Sequence, residues 1–559
     1  MLLTVTIPLR TLGSAVFSFG IYVAIIYMLR LFLPVISTAD VSYAIIGVIA
    51  CVSAIPMLLS RDNIASAVGK SAIFGVAFKE LFGFREESFK QRTNMSKLSG
   101  NIIIFFGMLL GILTLVVHPL VIVAVIVVAV LAALIFTSPE IGILIALFCI
   151  PFLSFFEHSA MVLGLLVMII TVSFIVKLIR GKRIVKLELI DFAILFFGII
   201  IFFSGAISAG GIDGIKEVLI TCELLLGYFL IVNLIRTGAW INRCIGTLVA
   251  SGTVVAFIGI LQYLVGAVSN QAWLDTSYFY DIKGRVVSVF DNPNILSVFL
   301  VMVLPFAMYM MIKASKGRAK LLGLISVLFI MLCTVLTWSR GAWIAAIIAI
   351  LAFLLMYSRK TLRYILLGGA FVPFATFFLP NSVVRRFASI GDLADSSTMY
   401  RVYTWKGSLR ILGDHFYSGI GYGLNAYQEI YPQYAYAGIE SAEHSHSLFL
   451  QIMIGTGIVG LIAFAIVLLL LAQMNLEYIK DTKDSSGRLA VIAAFCSVIA
   501  SLVFGLFDYT WYNYRIFFIF WAVIAIASAC VRIGREEERR RTGGMTSKLY
   551  DISPSENKE

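Results

Sequence analysis

Apolar runs follow one another almost from end to end of this chain, separated by short polar or basic intervals, and only one polar stretch, Asn381 to Ser447, is long. An α-helix needs about 20 apolar residues to cross roughly 30 Å of hydrocarbon. Windows of that kind fall near residues 12–35, 41–60, 100–117, 120–137, 140–156, 160–179, 189–209, 214–235, 243–268, 293–312, 320–338, 341–358, 362–379, 447–473, 488–508 and 512–532. They predict sixteen spans, or fourteen where the shortest windows do not cross. The runs lack the alternation of barrel strands, and each unpaired backbone group in lipid costs several kcal/mol, so helices are the spanning element. The predicted fold is all-α: a polytopic transmembrane helical bundle with one large extracytoplasmic loop containing short helices.

Composition sharpens this reading. The chain is 60% hydrophobic and 13% charged, with a mean hydropathy of +0.98, where a soluble domain carries about 25% charged residues. Lys and Arg cluster in alternate connections: Arg61 to Lys97, Lys177 to Lys186, Arg236 and Arg243, Lys313 to Lys320, Arg359 to Arg363, Lys480 to Arg488, and Arg535 to Arg541. Basic residues are retained on the cytoplasmic side, so both termini are expected in the cytoplasm and the 381–447 loop outside, in a cytoplasmic (plasma) membrane protein. The net charge of +12 is then a topology signal; no basic folded domain for nucleic acid is present. No small-residue cleavage site follows Ile36, so the first apolar run is expected to be a retained helix. The seven cysteines lie in or beside apolar runs with no CxxC pair, which points to packing and away from disulfides or zinc. The expected domains are an N-terminal appendage (1–99), a transmembrane bundle (100–379), the external loop (380–447), C-terminal transmembrane helices (448–534) and a disordered charged cytoplasmic tail (535–559).

Basic residues on the outer side have no topological use. They are Lys216, Lys283, Arg285, Arg340, Arg385, Arg386, Arg401, Lys406, Arg410 and Arg515, with Arg30 at a helix end. Arg outnumbers Lys among them, and a planar guanidinium grips phosphate through two parallel hydrogen bonds where an ammonium offers a point charge. Arg340, in Thr337-Trp338-Ser339-Arg340-Gly341-Ala342-Trp343, sits between two apolar runs with almost no loop. It either faces a wet cavity or snorkels at the interface between belt tryptophans.

Three blocks resemble the O-antigen ligase and polymerase superfamily. They are Arg285 to Asn294, Thr337 to Gly341, and Arg401-Val402-Tyr403-Thr404-Trp405 running through Gly419-Ile420-Gly421-Tyr422-Gly423 to His444-Ser445-His446 and Gln451. The blocks cover about 285–460, and the helical pattern extends the likeness to roughly 140–532; residues 1–99 lie outside it. The resemblance implies a C-type glycosyltransferase that uses no metal or other cofactor. It moves a glycan from a polyprenyl-pyrophosphate donor to an acceptor hydroxyl, on a glycan or a lipid, at the outer face of the membrane. By family correspondence Arg285, Arg340 and Arg401 bind the pyrophosphate, and His446 or, under a two-position slip, His444 is the base. Asn292, Asn294, Tyr403, Trp405, Gln451 and Glu443 are supporting candidates. The chemistry fits these residue types: preorganised guanidinium groups stabilise the charge growing on a leaving pyrophosphate, and imidazole has a pKa suited to activating a hydroxyl.

Other readings compete. Among the external carboxylates, Asp275, Asp281, Asp291, Asp392, Asp395, Glu429, Glu440, Glu443 and Asp508, Glu440 or Glu443 is the rival base, and Asp291 is expected to set a turn or cap the next helix. A zinc site on His444, His446 and Glu443 lacks the usual ligand spacing. The helix carrying Arg401, capped near Ser396-Ser397-Thr398 and stopped at Gly413, either contributes to a site or lies solvated on the membrane surface. The Gly419, Gly421 and Gly423 run predicts a turn in which backbone closely approaches a neighbour. Trp273, Tyr278, Phe279, Tyr280, Tyr431, Tyr434 and Tyr436 suit sugar stacking or an interfacial belt. Whole-protein alternatives are a polysaccharide polymerase, a flippase moving the same lipid-linked precursor, and a non-catalytic assembly subunit.

Overall fold

A computed structural model of the chain describes residues 8–32, 40–72, 74–84, 86–89, 100–155, 158–268, 284–315, 317–375, 380–393 and 395–541. Trp273, Tyr278, Phe279, Tyr280, Asp275, Asp281 and Lys283 lie outside the described residues, as do part of the 61–97 basic segment and the tail beyond Arg541. The described residues form helices and no strand. Their contacts divide the chain into two units, Met1–Ile141 and Gly142–Glu559.

In the first unit, α1 (Leu9–Phe32), α2 (Val41–Leu59), the short α3 (Ile64–Lys70), α4 (Gly100–Leu113) and α5 (Pro119–Thr137) follow in order. Helices in lipid gain little from hydrophobicity and associate through close packing, for which small residues are needed. A Cβ on Gly20 of α1 would stand 2.7 Å from the Cys51 sulfur of α2, and one on Gly107 of α4 would stand 2.2 Å from the Ala15 carbonyl of α1. Such contacts bring α4 into this unit, so the unit runs past the expected boundary at residue 99. At one end, Arg30 donates to the carbonyls of Thr114 and Leu115 at the end of α4.

The second unit begins at Gly142, within α6 (Pro139–Cys149), which continues as a 3₁₀ turn to Phe155. It continues through α7 (Ser159–Ile179), α8 (Leu189–Ala206), α9 (Gly211–Leu234), α10 (Gly238–Leu264), α11 (Pro293–Lys313), α12 (Gly317–Leu336), α13 (Arg340–Tyr357) and α14 (Thr361–Ala375). Two helices of the 381–447 loop, α15 (Asn381–Ala388) and α16 (Ser396–His415), precede the short α17 (Leu424–Ile430); α18 (Leu448–Asp481), α19 (Ser485–Gly505) and α20 (Tyr514–Arg541) complete the unit. The unit is centred on α11 and α20, whose spans are 83% and 89% buried. Ser497 of α19 donates to the Met302 carbonyl of α11 at 2.6 Å, a pairing that satisfies a hydroxyl in the apolar interior.

Each of the sixteen predicted windows overlaps a helix. Twelve described helices are long and apolar enough to cross a membrane, which makes this a multi-pass membrane protein, beside the fourteen to sixteen spans expected for the whole chain. The shortfall has local causes. Asn101–Leu113 and Pro139–Phe155 are shorter apolar helices, α9 carries Asp213, Lys216, Glu217 and Glu223, and α14 is described for 15 residues.

Helix polarity gathers the unusual polar residues at one end. Helices α11 and α13 start at that end and run to Lys313 and to the Arg359 cluster, α12 and α19 return from Arg318 and Arg488, and α18 runs from Leu448 to Lys480. The motif residues 285–294, 337–340, 444–447 and 508 therefore sit at the ends opposite the basic clusters.

Helix α18 is interrupted at Gly457, whose φ of 67° and ψ of −175° break the helical path. A Cβ there would stand 2.0 Å from the Tyr417 carbonyl, and one on Gly421 would stand 2.2 Å from the Ser208 Cα. The carbonyls of Ile454 and Gly455, freed by the break, accept from the Ile420 and Gly421 amides at 2.8 and 3.1 Å, and Ile420 in turn accepts from Ala209. The glycine run is thus the close backbone approach predicted for it, and it anchors the 381–447 loop to the α8–α9 connection.

Candidate functional site

The segment before α11 is fixed by main-chain pairing. Val286 donates to the Leu336 carbonyl, and the Gln262 side-chain oxygen at the end of α10 accepts from the Val287 and Ser288 amides. This sets Arg285 beneath the α12–α13 junction, where its Nε donates to the Thr337 carbonyl and one Nη to Asn294 Oδ1, both at 2.7 Å. Asn292 caps α11 by accepting the Asn294 amide at 2.8 Å. Asp291, expected to turn or cap, instead holds an exposed side chain 3.8 Å from Arg515.

The α12–α13 junction is tight because Trp338 adopts a left-handed φ of 54°, a strained setting for a bulky residue. Trp338 and Trp343 are buried with ring centres 5.9 Å apart, so they are core residues and no interfacial belt. Arg340 does not snorkel. It is buried, donates to the carbonyl and hydroxyl of Ser389 and to the Ser397 hydroxyl, and pairs with the fully buried Asp395. Arg386 reciprocates from the loop, its Nε donating to the Trp338 carbonyl at 3.3 Å.

Helix α16 starts at Ser396 with Asp395 in the cap position and runs through Gly413 to His415. Its first turns present Ser396, Ser397, Tyr400 and Arg401 to a cavity of about 660 Å³, within the range of small-ligand sites. Arg401 Nε is buried there with no hydrogen-bond partner among the described residues. Trp405, one turn on, donates to the His446 carbonyl at 3.2 Å. Tyr403 turns to the side, edge-on to Tyr436 and beneath Lys406.

Residues 444–447 are held by Gln451, whose Oε1 accepts the Ser445 amide at 2.8 Å, and by Ser447 as the α18 cap. His446 takes a left-handed φ of 51°, a cost of order 1–3 kcal/mol that marks an over-determined position. Its Nδ1 lies 2.9 Å from Asp508 Oδ1, its ring is edge-on to Tyr400, and the side chain stays 19% exposed. His444 is buried and stacked 5.0 Å from Tyr512, and its Nδ1 accepts the His446 amide at 3.2 Å.

Asp508 is the residue that sequence reasoning did not single out beyond naming it among nine carboxylates. Its Oδ2 accepts from Asn294 Nδ2 at 2.8 Å and its Oδ1 from the Tyr509 amide at 3.0 Å. Burial pushes its pKa up, but the hydrogen bond and charge of His446, with His444 and Arg401, outweigh that and hold it well below the usual carboxylate range. An ionised Asp508 fixes His446 as the Nδ1–H tautomer and leaves Nε2 as an acceptor. Burial, with help from the charges of His446 and Arg401, lowers the His444 pKa to about 3, so this ring is neutral.

Four arginines (285, 340, 386 and 401) and two carboxylates (Glu443 and Asp508) line the cavity with both histidines, Asn292, Asn294 and Tyr512. Burial and mutual repulsion lower Arg386 to about 10 and depress Arg285 as well, through burial and then the charges of Arg386 and Arg401. Such crowding of like charge favours an anionic guest. The nitrogen and oxygen atoms of His444, His446 and Asp508 fall within 4.8 Å of one another. His446 and Asp508 are bonded to each other and His444 Nδ1 accepts the His446 amide, so the trio is one hydrogen-bonded unit. Glu440 is outside the lining and fully exposed; the Gly438 amide keeps its carboxylate below the ordinary range.

Arg285, Arg340, Arg401, His444, His446, Glu443, Asn292 and Asn294 thus share one cavity; Gln451 and Trp405 support its wall and Tyr403 does not reach it. Asp508, Arg386 and Asp395 were not picked out, because each acquires meaning only from a partner distant in sequence. The model of the O-antigen ligase family matches residues 321–465, from within α12 to within α18. A comparison with curated proteins finds no match. The family match spans Arg340, Arg401, His444, His446 and Gln451 and stops short of Arg285, Asn294 and Asp508 on either side.

Proposed function

We propose that this chain is a membrane glycosyltransferase of the O-antigen ligase type. It transfers a glycan from a polyprenyl-pyrophosphate carrier to an acceptor hydroxyl at the extracytoplasmic face of the cytoplasmic membrane. One observation carries the reading: an imidazole oriented by a buried carboxylate opens into the same cavity as four arginines. A general base and an anion clamp are the two parts this displacement needs.

In the proposed reaction His446 Nε2 takes the proton of the acceptor hydroxyl as its oxygen forms a bond to the anomeric carbon. The bond from that carbon to the phosphate oxygen breaks, and its electron pair leaves with the polyprenyl pyrophosphate, inverting the anomeric centre. A positioned base of this kind contributes roughly 10²- to 10⁴-fold. Arg401, whose buried Nε has no partner among the described residues, and Arg285 and Arg386 beside it stabilise the charge accumulating on the leaving group in a site of low dielectric. Arg340 supports them by tethering Ser389, Asp395 and Ser397, which brings α16 over the cavity. His444, neutral and with its Nδ1 engaged, serves to hold the His446 backbone.

Transfer onto a second lipid-linked chain would use the same groups, so the reading covers a polymerase with a different acceptor. A flippase is less well supported. It calls for broken or charged helices at mid-membrane depth, whereas the α18 break at Gly457 lies near the site end and residues 458–481 still suffice to span. The test is reconstitution in liposomes with lipid-linked glycan. Wild type should release polyprenyl pyrophosphate in step with glycan transfer, and His446→Ala should not. Glycan that crosses the bilayer still attached to its lipid would instead establish the flippase.

A further inference from the structure

Resting on that reading, we propose that Asn294 is a positioning residue that holds Arg285 and Asp508 one amide apart. The guanidinium thereby stays with the anion site and the carboxylate stays on His446. Asn294 is bonded to both groups: Oδ1 accepts from Arg285 at 2.7 Å and from the Ser339 hydroxyl at 3.2 Å, while Nδ2 donates to Asp508 at 2.8 Å.

The chemistry fixes the amide in this sense, since the opposite rotamer would set N–H against guanidinium and carbonyl against carboxylate. Arg285 and Asp508 are both buried. A buried guanidinium and carboxylate attract strongly and close into a bidentate pair when nothing separates them. That collapse would withdraw Asp508 from His446 and neutralise the arginine in one movement. An amide is the side chain that satisfies both ions without neutralising either. Through this one residue the start of α11, the α12–α13 junction and the segment after α19 are joined.

The experiment uses the full-length protein in nanodiscs with Asn294→Ala and the isosteric Asn294→Asp. It follows ¹⁵N-histidine NMR of His446 against pH, with His446→Ala identifying the signal, and the pH dependence of kcat on lipid-linked glycan. The groups facing His446 are Asp508 after α19, His444 and Glu443 on its own segment, Tyr400 and Arg401 on α16, and Tyr512 before α20. Of these groups Asp508 is the one bonded both to Asn294 and to the ring, so both variants act on it. Asn294→Asp adds a negative charge beside Asp508 and should move the His446 titration to higher pH; Asn294→Ala lets Arg285 take Asp508 and should move it to lower pH. In both, kcat should fall about tenfold or more, with the acid limb of the rate profile moving in those opposite directions.

Titration unchanged in both variants, or shifted the same way in both, overturns the proposal. Opposite shifts in a protein that transfers no glycan would uphold the role of Asn294 and defeat the glycosyltransferase reading. Transfer that depends on His446 but is indifferent to Asn294 would do the reverse.

Discussion

His446 and Asp508, 62 residues apart in sequence, meet through a 2.9 Å hydrogen bond between Nδ1 and Oδ1. The bond decides which ring nitrogen can act, because a carboxylate on Nδ1 leaves Nε2 to receive a proton. His446→Ala should therefore lower kcat by roughly 10²- to 10⁴-fold, and Asp508→Asn by a comparable factor, since a neutral amide no longer enforces the tautomer. His444→Asn, whose oxygen can accept the same amide, should retain most activity. Initial rates of polyprenyl pyrophosphate release, with insertion checked by size-exclusion chromatography, separate these outcomes.

Arg401 and Arg340 differ in what already binds them, and their substitutions should differ in kind. Arg401 has a buried Nε without a partner among the described residues, so Arg401→Ala should leave the melting temperature near wild type while raising KM for the donor and lowering kcat. Arg340 is committed to Ser389, Ser397 and Asp395. Arg340→Ala strands a buried carboxylate, a change that costs about 3–5 kcal/mol. Its signature is a lowered melting temperature and early proteolysis within 389–397. A stable, inactive Arg340→Ala protein would return that residue to direct donor binding.

Gly421 approaches the Ser208 backbone so closely that an added Cβ would fall 2.2 Å from its Cα, at a φ of 102°. Neither condition can be relieved by a flexible side chain. Gly421→Ala should disrupt the seat of the 381–447 loop on the α8–α9 connection and abolish activity with loss of thermal stability. By contrast Gly413→Ala, where nothing lies within 4 Å of the added carbon, should be tolerated. Paired melting curves of the two alanine variants test the distinction.

Apolar run length foretold every described helix long enough to cross a membrane, because a 3.6-residue spiral of apolar side chains is the one solution a single segment can find in lipid. The positive φ values of Trp338 and His446 had no such signal: neither residue type favours that conformation, and only the surrounding contacts impose it. The same holds for Arg340. Its placement beside a short junction announced a buried or interfacial cation, while its partner Asp395, 55 residues on, could be known only once the loop folded back. Local order was written in local sequence; the pairings that give the site its chemistry are long-range and were not.

The helix ends make a topological prediction that needs no enzymology. Ser441 lines the cavity, and Ser485 opens α19 between Lys483 and Arg488. In a background lacking the seven native cysteines, Ser441→Cys should react with an impermeant maleimide added to intact cells. Ser485→Cys should react only after the membrane is opened. Labelling of Ser485→Cys from outside, with Ser441→Cys reacting only after the membrane is opened, would invert the proposed orientation of the site.

Acid should destabilise the fold before it touches the surface charges. The His444 ring has an ordinary pKa of 6.5 when unfolded and about 3 in its buried place against Tyr512. Between those values the unfolded chain binds a proton that the folded chain refuses, so stability present above pH 6.5 drains away as pH falls toward 3. Asp508 adds to the loss from the lower end: its folded pKa lies below the ordinary 3.8, so its contribution is intact above that value and disappears as pH drops through and beneath it. Both act in the same direction. Melting temperatures in detergent should decline steadily from pH 6.5 to pH 4, and His444→Asn, which removes the larger titration in that window, should flatten the decline. An undiminished slope in that variant would place the acid sensitivity elsewhere in the fold.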